Sequence, residues 1–160
     1  MSVYHRETLG NFSSIVCFKA VIVGMEDVLG EHATAISLKA AGRKRGVGLA
    51  TSLGFKKGQL SVGDLADVAT KLDAALGVDG TRLCKVDHIL AEGDTLKVYT
   101  SETICSAGEP MGSKRTCTFT LGAIHGAIEF LLDRQYFAKH TESVLRGGTH
   151  DVFELTPRVL

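Results

Sequence analysis

The sequence predicts an α+β domain: three N-terminal helices, a β-hairpin, a buried helix and a C-terminal β-hairpin, with the helices packed on a small antiparallel sheet. Two observations carry this prediction. Apolar residues recur at the helical period up to Gly80 and alternate at the strand period after it. Glycines and a capping signal punctuate the ends of those runs. A chain of 160 residues and 17.1 kDa fits one domain spanning 1–160.

The elements follow in order. Ile15, Phe18, Ile22, Met25 and Leu29 form one helical stripe, with Ser13 or Ser14 as N-cap and Gly30 as stop. Ala33, Ile36, Ala40, Val47 and Ala50 predict the buried face of a second helix, with Arg43, Lys44 and Arg45 on other faces. Ser61 and Asp64 read as a capping box opening a third stripe at Leu65, Val68, Ala69, Leu72 and Leu76, ended by Gly77 and Gly80. Cys84, Val86, His88 and Leu90 then alternate with Lys85 and Asp87, placing His88 on the apolar face of a strand. Glu92-Gly93-Asp94 supplies a turn, and the second strand runs from Leu96 towards Cys105 before a loop at Gly108, Pro110 and Gly112. Leu121, Ile124, Ile128 and Leu131, with Ala123 and Ala127 between them, predict a largely buried helix over about Cys117 to Asp133. Tyr136 to Leu145 and Asp151 to Leu155 complete a second hairpin.

Eighteen basic and eighteen acidic residues balance to zero formal charge, so no net field favours nucleic acid or an anionic membrane. The longest apolar stretches are far too short for a membrane-spanning helix, and Met1 to Leu9 does not read as a signal peptide. Cys17, Cys84, Cys105 and Cys117 include no Cys-x-x-Cys pair and predict reduced thiols in a cytoplasmic protein.

Gly42 with Gly46, and Gly122 with Gly126, each place two glycines one helical turn apart, where another backbone or a flat ligand fits closely. The basic run from Arg43 to Arg45, with Lys56 and Lys57, reads as a solvated face. His88 and His125 are candidate haem ligands or polar contacts in a pocket, against the simpler reading of satisfied core or boundary histidines. Glu102 and Glu129 are acids set near apolar segments, without an identifiable acid–base partner. Common catalytic signatures are missing, which argues against an enzyme.

Thr103 to Cys105, a Gly-Pro-containing loop, and Cys117 to Glu129 with Gly122, His125 and Gly126 inside it resemble the C-terminal half of the 4-vinyl reductase, or hydrocarbon-binding, domain family. The tail strengthens the resemblance: His140, Ser143, Gly147, Asp151 and Phe153 keep the spacing of that family's Glu-x-x-Cys-x-x-x-Gly-x-x-x-Cys-x-Phe hairpin. Glu31 to Gly46 is similar to its N-terminal helix, so the resemblance spans about residues 12–156 and implies a domain core of that extent. The resemblance implies a fold shared with sensory domains of aromatic-responsive transcription activators and, more remotely, with TRAPP tethering subunits. Such modules are mostly dimeric, non-enzymatic and built around an apolar cavity.

In the phenol sensors of that family a structural zinc is held by three cysteines and a glutamate. The matching positions here are Cys117, His140, Ser143 and Asp151, so zinc is not expected, although Cys117, His140 and Asp151 survive as a degenerate candidate site, with His150 as a substitute ligand. Aromatic hydroxyls of the phenol pocket correspond to Leu121 and Ala138, which predicts a more apolar pocket and no phenol recognition. The expected function is therefore binding of a small hydrophobic or flat cyclic molecule (a lipid, aromatic or tetrapyrrole) by a cytoplasmic homodimer. The candidate ligand-binding residues are His88, Leu121, Gly122, His125, Gly126 and Ala138. A sensor role would need a separate output protein. The alternatives are an assembly or scaffold protein and, less favoured, a metal-dependent enzyme using Cys117, His140 and Asp151.

Overall fold

The computed structural model describes Arg6, Thr8 and residues 10–159; most of the segment Met1 to Leu9, read as lacking a signal peptide, lies outside them. The chain divides into two compact units, the break falling after Thr34. In the first, α1 (Ile15–Leu29) is capped by the Ser14 hydroxyl, which accepts from the Val16 amide, and is closed by Gly30. Its apolar stripe is only partly covered. Ile22 is buried, while Ile15 and Leu29 are exposed.

α2 (Glu31–Ser52) runs on into the second unit. Its buried residues there are Leu38, Gly42, Gly46, Leu49 and Ala50, whereas Ile36, Ala40 and Val47 of the predicted stripe are exposed. Only Ala50 of that stripe is buried in this unit. The glycine face prevails because it lets α2 reach the backbone of α4 (Thr118–Leu132) directly. A Cβ at Gly42 would lie 2.2 Å from Phe119 O and one at Gly46 2.0 Å from Ala123 O. In return, Gly122 faces Lys39 O and Gly126 faces Arg43 O. Each glycine pair is therefore the seat of the other helix.

A 3₁₀ turn (Val62–Asp64) carries the expected capping box and leads into α3 (Leu65–Leu76), where Val68, Ala69, Leu72 and Leu76 are buried as the stripe predicts. The strands β1 (Lys85–Glu92), β2 (Thr95–Ser101), β3 (Tyr136–Glu142) and β4 (Asp151–Pro157) form one antiparallel sheet in the order β1-β2-β4-β3. The predicted hairpins are thus joined edge to edge through β2 and β4. Gly93 adopts φ of 60° in the first turn, a conformation that costs glycine little. β2 ends at Ser101, short of Cys105, because Glu102 takes a left-handed conformation and the chain turns.

A register shift between Val86 and His88 changes the phase of β1. Val86 and Ile89 point into the core, and His88 and Leu90 are exposed. The strict alternation that placed His88 on the apolar face is overturned by this one extra residue.

The core lies between α3, α4 and the sheet. Tyr136, Phe153, Leu72, Leu76, Ile124, Ile128 and Leu131 are among its fully buried side chains, each worth about 1.5–3 kcal/mol of burial. α4 is buried on nearly every side, as expected. The cysteines depart from expectation: Cys105 and Cys117, with Cα atoms 5.2 Å apart, form a disulfide, while Cys17 and Cys84 are free. The turn after β2 swings Cys105 back to the start of α4, a proximity that a separation of 12 residues does not reveal.

Candidate functional site

A cleft of about 280 Å³ opens in the second unit, lined by Lys39, Ala40 and Arg43 of α2, His125 of α4, Phe137 and Ala138 of β3, and Arg158 after β4. Its size is near the lower end of small-molecule sites, about 300–1,000 Å³. The mostly apolar space between Leu49, Phe55, Leu72, Leu76 and Leu131 is only about 10 Å³, room for about one water. Apolar side chains thus fill the interior at that point, and the larger space beside α2 has charged walls.

Glu129 sets the chemistry of one wall. Its Oε1 accepts from the Tyr136 amide at 2.8 Å and lies 2.9 Å from His125 Nε2, while Oε2 accepts from Arg43 Nε at 2.9 Å. Burial alone would raise the Glu129 pKa, but the Tyr136 amide and Arg43 outweigh it and hold the carboxyl below its ordinary value. His125 Nε2 is also 2.9 Å from Tyr136 O. Facing two acceptors, this nitrogen is the donor, which leaves Nδ1 as an acceptor in the neutral ring. Burial, only partly opposed by Glu129, pushes the His125 pKa down and favours that neutral form.

The cleft brings together two of the residues expected from sequence, His125 and Ala138. Leu121 is buried in the core, and Gly122 and Gly126 are covered by the α2 backbone. His88 lies elsewhere, its ring stacked on Tyr99 at 4.3 Å with His150 edge-on to both. Lys39, Ala40, Phe137 and Arg158 were not anticipated. Arg43, read as part of a solvated face, reaches across to Glu129. The four-residue step from Lys39 to Arg43 places both on one face of α2, the signal that could have found them.

The degenerate metal set also converges. Ligand atoms of Cys117, His140 and Asp151 lie within 4.8 Å of one another. Asp151 is a buried hub: Oδ2 accepts from the Thr103 hydroxyl at 2.5 Å and the Ser106 hydroxyl at 2.7 Å, and Oδ1 lies 3.3 Å from His140 Nε2. Burial would raise its pKa, but His140 and the hydroxyls of Thr103, Ser106 and Ser143 prevail and hold it well below the carboxylate range. His140 Nε2 and Asp151 Oδ1 lack an aligned hydrogen bond, the kind of buried pair a metal would satisfy. The donor chemistry nevertheless does not fit one. The Cys117 sulfur is bonded to Cys105, and His140 Nδ1 accepts from the Cys117 amide at 3.3 Å. That bond puts the proton of the neutral ring on Nε2, which then has no lone pair to offer. Covalent and hydrogen bonds hold this knot together.

The free Cys84 thiol is buried, and desolvation, reinforced by Asp73, raises its pKa above the ordinary thiol range.

No family model and no curated protein matches the sequence. Solved structures do match. The phenol-responsive sensory domain of the transcription activator PoxR, solved with phenol, aligns at a TM-score of 0.66 and 14% identity over 92% of this chain and 76% of that one. A vinyl-4-reductase family protein from Methanocaldococcus jannaschii aligns at 0.50 and 14% identity over 95% and 86% of the two chains. The chain shares the vinyl-4-reductase fold. A trafficking protein particle complex subunit 3 from Naegleria fowleri, covalently bound to palmitic acid, has the fold too, at 0.58 and 12% identity over 91% and 93%. At such identities the likeness extends to the fold, as the sequence resemblance predicts, and leaves this chain's ligand to its own residues. No helix among the described residues is long and apolar enough to cross a membrane.

Proposed function

We propose that this chain is a non-catalytic small-molecule-binding module whose ligand occupies the cleft between α2, α4 and β3. The cleft itself carries the reading: about 280 Å³, with an exposed Phe137 on one wall and on another His125, its Nε2 fixed between Glu129 Oε1 and Tyr136 O. Ala40 and Ala138 have no side chain beyond Cβ and leave its floor open. The fold neighbours support a binding role, since one was solved with phenol and another with palmitic acid. The Cys105–Cys117 disulfide removes the cysteine argument for a cytoplasmic setting; a sensor role would act through an output protein. Native mass spectrometry of freshly purified protein tests the reading. A small molecule retained in substoichiometric or full amount is expected. A bare chain that also takes up no added aromatic or acyl compound would overturn it.

A second element of the proposal is a homodimer, favoured by α1. Val16, Val21, Val23 and Val28 are all exposed there, Val28 to 82%, an apolar density unusual for a solvated helix. The mass of the native species reports it directly. A monomer at tens of micromolar contradicts self-association while leaving ligand binding untouched.

A further inference from the structure

The cleft contains more positive charge than its surroundings neutralise. Arg43 is committed to Glu129. Lys39 makes one long hydrogen bond, 3.4 Å to Ala138 O, and no ion pair among the described residues. Arg158 lies over the Phe137 ring at 4.5 Å, a cation–π contact that holds its guanidinium at the cleft without supplying a counter-ion. Its backbone is tied down, the Arg158 amide donating to Gln135 O at 3.0 Å. With Arg43 and Glu129 cancelling, two cations remain in a chain whose formal charge is zero.

From this juxtaposition we infer that the cleft takes an anionic ligand, a small aromatic carboxylate, with Lys39 and Arg158 as its charge partners and Phe137 as its apolar wall. The inference rests on the cleft being the ligand site, as proposed above, and adds what the ligand must carry. Guanidinium and ammonium both suit a carboxylate, through charge-assisted hydrogen bonds about twice as strong as neutral ones. A neutral hydrophobe would leave both cations unused. The aromatic preference comes from Phe137, a residue 61% exposed whose ring already carries the Arg158 guanidinium, so that an aromatic ligand adds to an existing cation–π stack.

The test is titration of the full chain with 1-naphthoate and with 1-naphthamide, which shares its ring system and lacks its charge. The chain has no Trp, so naphthalene emission can be followed directly, with calorimetry alongside. Naphthoate should bind about tenfold more tightly than the amide, and the preference should shrink as salt is raised from 20 to 500 mM. Lys39→Gln and Arg158→Gln should each weaken naphthoate about threefold, together accounting for the tenfold preference, and leave the amide unchanged within error. Both residues are exposed, so the variants are expected to fold. Equal binding of the two compounds, or a naphthoate preference that survives both substitutions, overturns the anionic inference while the cleft stands as a ligand site. Binding of neither compound at millimolar concentration removes both.

Discussion

Gly46→Ala and Gly48→Ala make the same chemical change two residues apart on α2 and should have opposite effects. A methyl at Gly46 would sit 2.0 Å from Ala123 O and 2.9 Å from both Ala123 C and Ala127 N, where ordinary contact is about 3.5 Å. All three atoms are backbone, so no side chain can rotate away and α2 must lift off α4. Overpacking costs about 1–3 kcal/mol, and more where backbone must move; alanine's helix preference returns about 1 kcal/mol. A net loss of about 2–3 kcal/mol lowers Tm by roughly 5–10 °C in a domain of this size. At Gly48 nothing lies within 4 Å, so only the propensity gain operates and Tm should rise by about 2–4 °C. Thermal and urea unfolding read both values. Equal shifts for the two variants would refute direct backbone contact between α2 and α4. Since Lys39 and Arg43 ride on the same helix, Gly46→Ala should also weaken binding in the cleft, and Gly48→Ala should not.

The buried carboxylate Asp151 is the next target. Asp151→Asn puts an amide against the hydroxyls of Thr103 and Ser106 and should cost about 3 kcal/mol in denaturant titrations; a loss below about 0.5 kcal/mol would show that the knot is not structural. Acid should destabilise the protein in two stages. His125, Glu129 and Asp151 all have folded pKa values below their ordinary ones, so the stability they contribute is complete above the unfolded values and is lost as pH falls, first below about 6.5 and then below about 4. A Tm unchanged between pH 7 and 3.5 would contradict this. Reductant, or Cys105→Ser, should lower stability by about 2–4 kcal/mol, whereas a chelator should leave Tm unchanged; the reverse pattern would restore a metal to the knot.

Reading the fold from sequence works where a single periodicity decides. α1, α3 and α4 end close to where their stripes and caps place them, since each is set by local signals such as Ser14, the Ser61–Asp64 box and Gly77. It fails where a neighbour overrides the pattern. The buried face of α2 is chosen by glycines that admit the α4 backbone, so counting apolar residues selects Ile36 and Val47, which are exposed. The phase of β1 depends on one bulge residue, invisible to an alternation rule, and His88 leaves the core with it. At the site, His125 and Ala138 were legible through the family-like motif, but Lys39, Phe137 and Arg158 were not. They come from α2, β3 and the chain after β4, segments that meet only once the sheet order brings β3 beside β4 and the glycines seat α2 on α4.

The most direct measurement is an amide shift map of the isotope-labelled chain with and without saturating 1-naphthoate. A ligand in the cleft should move the amides of Ala40, His125, Phe137 and Ala138 together, leaving those around Leu49, Leu72 and Leu131 in place. Perturbations centred on that apolar interior, or on the His88–Tyr99 face of the sheet, would contradict a binding site between α2, α4 and β3.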